Sequence, residues 1–108
     1  MEFDDIKARI RNTGPDTTRT DSDDYFEAVI DQARIEEVAR VLESIFGAPA
    51  WPSDKKLSKD TQILIKSVGG LRGGQTLYVL SNGGGCSAFA MLWPWQNGEK
   101  VTLKISKI

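Results

Sequence analysis

The stretch CSAFAMLWPWQNGEKVTLKIS, residues 86–106, decides the reading of the fold. Asn97-Gly98 between two runs of alternating apolar residues is the strongest short-range hairpin signal in the chain, suited to a type I′ turn with positive φ at both central residues. A two-residue loop there pairs Gln96 with Glu99, and therefore Leu92 with Leu103 and Ala90 with Ile105. In the second strand Val101, Leu103 and Ile105 alternate with Thr102, Lys104 and Ser106, which puts the aliphatic side against a core. By the same parity the opposite face carries Phe89, Met91, Trp93 and Trp95. If Ser81 pairs with Cys86, Tyr78 and Leu80 join them. A half-buried antiparallel sheet ordinarily has one polar face. This one is apolar on both faces at its centre, so something must cover the second.

Working backwards, residues 75–81 read as a strand and 82–85 (Asn-Gly-Gly-Gly) as a turn. Gly69-Gly70-Leu71-Arg72-Gly73-Gly74 reads as a loop. Residues 61–68 hold Ile63-Leu64-Ile65, short and β-branched, and read as a strand. Between residues 25 and 46 the apolar phase jumps by nearly half a turn, which excludes one long helix. A strand over 25–30 followed by a helix over about 31–46 explains the jump, with Glu36 and Arg40 as an i,i+4 pair on the wet side. Gly47 suits the position after the helix, and Pro49 and Pro52 prevent its continuation. Residues 12–23, with Gly14-Pro15, four Thr and several Asp, read as linker. Phe3, Ile6 and Ile10 recur at helical spacing and mark a short amphipathic helix over 3–11. The expected fold is α+β: an antiparallel four- to five-stranded sheet, ending in a meander, packed on one main helix. A length of 108 residues suits a single domain, with 1–23 as N-terminal segment and linker and 24–108 as its α+β core.

Composition narrows the chemistry. The chain has no histidine, which removes Ser-His-Asp and Cys-His nucleophile activation and the commonest transition-metal ligand. No cofactor or metal is expected. Cys86, the single cysteine, has no partner for an internal disulfide and reads as a small buried residue. No run approaches the roughly 20 apolar residues that span a bilayer. The acidic start, Met1-Glu2-Phe3-Asp4-Asp5, does not read as a signal peptide, and a cytoplasmic location is expected. Residues 1–47 carry twelve acids and six bases, residues 48–108 three acids and eight bases. Such polarity is that of two opposed faces, of head-to-tail association or of a charged partner, or simply of a Glu-rich helical half beside a sheet with Lys at its edges.

Two places offer candidate sites. Arg72 within its glycine loop, flanked by Gly70 and Gly73, is a weak phosphate-ligand candidate; the loop lacks the Walker ending and opens no dinucleotide-type helix. The Tyr78, Phe89, Met91, Trp93 and Trp95 face has three readings. The chain's own residues 3–10 cover it, as monomers rarely leave large apolar patches open. Alternatively it meets a protein partner or a second copy, as the Trp, Tyr and Met enrichment of interface hot spots suggests. In the third, single-stranded nucleic acid stacks on the aromatics beside Lys100 and Lys104, against which the overall acidity counts. The expected function is a non-enzymatic module that engages a protein partner or itself through this face.

The order strand, helix, then a four-stranded meander resembles the cystatin-type roll. Trp93-Pro94-Trp95-Gln96 is similar to that family's second hairpin loop. Lys66-Ser67-Val68-Gly69-Gly70 keeps the Val and final Gly of its first, without the Gln, and Gly14 stands where the N-terminal glycine segment would be. The resemblance implies inhibition of papain-like cysteine peptidases through hairpin loops, as an alternative to the partner-binding module.

Overall fold

The computed structural model describes residues 3–51, 59–67, 70, 74–81 and 86–107. Strands β1 (Thr17–Asp21), β2 (Tyr25–Asp31), β3 (Thr76–Ser81), β4 (Cys86–Pro94) and β5 (Lys100–Lys107) form one antiparallel sheet in the order β1-β2-β5-β4-β3. Helices α1 (Phe3–Arg11), α2 (Ile35–Phe46) and α3 (Lys59–Ser67) complete the α+β fold.

The β4–β5 hairpin has the register its sequence dictates, with Leu92 opposite Leu103 and Ala90 opposite Ile105. Its turn differs from the expected type I′. The Trp95 N–H donates to Lys100 O at 2.9 Å and the Gly98 N–H to Trp95 O at 3.0 Å. Gly98 has φ 72°, while Asn97 does not enter the left-handed region. The Asn97 side chain instead accepts the Glu99 N–H at 3.0 Å, an Asx turn that holds Asn97 on the ordinary side of φ.

The first face of the sheet is the main core. Phe26, Ala28 and Ile30 of β2, Val101, Leu103 and Ile105 of β5, and Ala88, Ala90 and Leu92 of β4 pack against α1 and α2. Helix α2 contributes Val38, Leu42 and Phe46, spaced four apart on one stripe. Asp31 caps the 3-10 turn (Gln32–Arg34) that leads into it by accepting the Ala33 N–H, and Gly47 closes it with φ 85°. The Glu36–Arg40 pair forms on its exposed side at 3.9 Å.

Helix α1 lies on this same face, with Phe3, Ile6 and Ile10 in the α2 core. The N-terminal segment therefore does not cover the aromatic face. The nearly buried Lys7 fixes α1 in place: its Nζ donates to Asp21 Oδ1 and to Ser22 O, each at 2.8 Å, and Arg11 pairs with Asp21 Oδ2 at 2.8 Å.

Three further expectations are corrected. Residues 12–23 include a strand where a linker was expected: β1 pairs with β2 although all five of its side chains are exposed. Threonine-rich strands at a sheet edge are held by backbone pairing and carry no apolar pattern. Of the expected strand over 61–68, residues 61–67 belong to α3 and residue 68 lies outside the described residues. Thr61, Leu64 and Ile65 turn inward at helical spacing, leaving Ile63 65% exposed. The C-terminal meander accordingly has three strands. Finally, Ser81 does pair with Cys86, but a bulge between Leu80 and Ser81 resets the ladder to Leu80↔Ala88 and Tyr78↔Ala90. One extra residue exchanges the faces. Tyr78 and Leu80 point into the α2 core, Tyr78 with its ring 6.3 Å from Phe46, and Leu77 and Val79 take the second face.

Candidate interaction face

The second face is divided along the strands. Over β3 and β4 it is sealed by the chain itself: Leu77, Phe89 and Met91 lie buried beneath Leu64 and Ile65 of α3 and beside Ala50 and Trp51. Trp51 also bridges the outer edge of β3, its O accepting the Leu77 N–H at 2.8 Å. Phe89 and Met91 thus stand on the expected face, under a cover from residues 50–51 and α3.

Over β5, β2 and β1 the face is less covered. Val29 and Thr102, paired across β2 and β5, form a buried floor. Trp95, 37% exposed, donates its Nε1 hydrogen to Thr102 Oγ1 at 2.9 Å, so its indole leans over β5. Arg19, the residue skipped at the β1 bulge, lies over this ring, its guanidinium 5.9 Å from the ring centre. Trp93 is half-buried at the boundary between the two halves, with Lys104 Nζ 4.1 Å above its ring. Across the strands, Glu27 stands opposite Lys104 in register. Its carboxylate accepts the Tyr25 hydroxyl at 2.6 Å and lies 3.6 Å from Arg19. Burial, and then the Glu27 hydrogen bond, push the Tyr25 phenol well above its ordinary value.

Two indoles, two cations and a phenol–carboxylate pair therefore share one strip of sheet. Each cation sits on an aromatic face, an arrangement worth about 0.5–1 kcal/mol when exposed. The indole N–H groups differ. Trp95 has its acceptor, whereas Trp93 Nε1 is buried and has none among the described residues. An orphaned buried donor costs about 1–3 kcal/mol.

Of the five expected contact residues, Trp93 and Trp95 belong to this strip, Phe89 and Met91 to the sealed half, and Tyr78 to the first face. Arg19, Tyr25 and Glu27 went unread. For Tyr25 and Glu27 the signal was the β2 alternation itself, since Tyr25, Glu27 and Val29 share the side opposite Phe26, Ala28 and Ile30. Arg72 and Gly73 lie outside the described residues, as does the side chain of Cys86; Gly70 follows α3 with φ 91°, its N–H bonded to Ile65 O. Asp21, within the acidic run that ends the expected linker, is ion-paired with Lys7 and Arg11. Among the described residues no cluster of three or more His, Cys, Asp or Glu is placed to hold a metal, and no helix is long and apolar enough to cross a membrane. Of the segments compared with the cystatin loops, Lys66 and Ser67 are the last turn of α3, and Trp93-Pro94-Trp95 runs out of β4 into the turn. No family model, no curated protein and no solved structure matches the chain.

Proposed function

We propose that the protein is a small non-catalytic binding module that engages a protein partner, or a second copy of itself, through the less covered half of the second sheet face, with Trp95 at its centre. The observation that carries this reading is the division of the face. The chain spends α3 and Trp51 on Leu77, Phe89 and Met91, and leaves Trp95 37% exposed beside Trp93 on the other half. Tryptophan and arginine side by side on a sheet surface are the residue types that anchor interfaces. The carboxylate of the strip is engaged by Tyr25 and Arg19, an arrangement that suits holding a shape more than transferring a proton.

The test is the native mass by light scattering over a wide concentration range, for the parent and for Trp95→Ala. An oligomer that Trp95→Ala disperses supports self-association through this face. If the parent is a monomer, immobilised parent, Trp95→Ala and Glu37→Lys are compared for the proteins each retains. Glu37 is an exposed residue of α2, on the other side of the sheet. Loss with Trp95→Ala alone supports the reading, and loss with Glu37→Lys alone overturns it.

A further inference from the structure

Among the described residues, the strip around Trp93 and Trp95 holds more donors than acceptors. Lys104 lies half-buried on the Trp93 ring and has no ion-pair partner among the described residues. Glu27, opposite it in register, is already engaged by the Tyr25 hydroxyl and Arg19. Lys100, at the end of the same strand, has its charge answered by Asp16 at 2.7 Å and Asp31 at 3.2 Å. Beside Lys104, the Trp93 indole N–H is buried without an acceptor. Arg19 remains half exposed over Trp95. A cationic partner would set like charges against Lys104 and Arg19, whereas carboxylate oxygens answer both.

The sheet edge bordering this strip is β1, whose side chains are all exposed, while the opposite edge at β3 is bridged by Trp51. No other strand of the described residues pairs with the outer side of β1, and a strand edge beside an aromatic strip can receive chain in extended form. We infer that the face takes an acidic, extended segment of a partner protein, its carboxylates meeting Lys104 and Arg19 and its apolar side chains lying against Trp93 and Trp95. This rests on the contact-surface reading above and adds the chemistry of the partner.

The experiment is a tryptophan-fluorescence titration of the full chain with poly-L-glutamate, poly-L-lysine and single-stranded oligodeoxythymidine. Poly-L-glutamate is expected to give a saturable change that salt weakens. Lys104→Glu should weaken it by about tenfold or more by setting like charges together, and Lys104→Arg should keep it. Both variants are checked for the parent's circular dichroism and melting temperature. No response to poly-L-glutamate, or an equal response to poly-L-lysine, overturns the inference. Tighter binding of the oligodeoxythymidine, lost with Lys104→Glu, also overturns it and assigns the strip to nucleic acid. If poly-L-glutamate fails while Trp95→Ala still disperses an oligomer or abolishes capture, the acidic partner falls and the contact surface stands. If Trp95→Ala changes neither mass nor capture, the contact surface falls with it.

Discussion

The two halves of the second sheet face meet on β4 and end in opposite states. On β4, Phe89 and Met91 are sealed under α3 and Trp51; further along the same strand Trp93 is half-buried, and Trp95 just beyond it is exposed. The sealed half is closed by apolar side chains from elsewhere in the sequence, Leu64 and Ile65 beside Trp51. The other half is closed only in part, by cations of the sheet's own strands laid over indole rings. Such cover removes apolar surface from water at about 25 cal/mol per Å². Lysine and arginine stems shield a ring while their charged heads stay in water, and so leave it accessible. One face thereby combines a second small core with a surface fit for recognition.

The largest effect that can break this comparison is on stability. Met91→Ala in the sealed half should cost about 2–5 kcal/mol, as buried methionine truncations do, while Trp95→Ala should cost about 1–2 kcal/mol from the lost Thr102 bond and partial burial. Urea denaturation of both variants measures the difference; equal costs would erase the division. Leu64→Ala should cost about 1 kcal/mol, since Leu64 is half-buried. It should also raise the binding of a hydrophobic dye by loosening the cover over Phe89 and Met91. Leu103→Ala on the first face, at 0% exposure, provides the scale for a fully buried site, at about 2–5 kcal/mol.

Smaller, pH-dependent effects belong to the ion pairs of Asp21 and Asp31. Hydrogen bonds from Lys7, then Arg11, hold the Asp21 carboxyl below the usual carboxylate range, and the Ala33 N–H, then Lys100, do the same for Asp31. A folded pKa below the unfolded one gives stability that is complete above the ordinary carboxylate pKa of about 4 and is lost as pH falls through the folded value. Lys7 and Lys100 are raised in turn, Lys7 chiefly by its hydrogen bond to Asp21 and Lys100 chiefly by its hydrogen bond to Asp16, then that to Asp31. Their contribution is complete below about pH 10.5 and is lost at higher pH. Melting temperature against pH should therefore fall on both flanks, and Asp21→Asn should flatten the acid flank without altering the emission of Trp95. The smallest effect is expected at the boundary. Trp93→Phe gives up indole packing but also deletes the unpartnered buried N–H, for a net change within about 1 kcal/mol.

The sequence made some of this legible. Asn97-Gly98 with alternating Val101, Leu103 and Ile105 carried enough local information to set the register of β4 against β5 and the identity of the core side. The two-sided apolar character of β4 was readable for the same reason. The identity of the cover was not, because Ile63-Leu64-Ile65 fits a short strand as well as a helix and only tertiary contact decides. Tyr78 was placed on the wrong face because a single bulge beyond Leu80 reverses parity, and no residue type announces a bulge. β1 carries no apolar signal, so Arg19 reaching across to Trp95 was invisible in one dimension.

Hydroxyl-radical footprinting of the native protein reads both halves of the face at once. The account predicts rapid modification of Trp95 and strong protection of Met91, although methionine is intrinsically reactive, because Met91 is 1% exposed and Trp95 37%. Modification of Met91 at a rate matching Trp95 would mean that α3 and Trp51 do not seal the β3–β4 half, and the division on which the proposed contact surface rests would be contradicted.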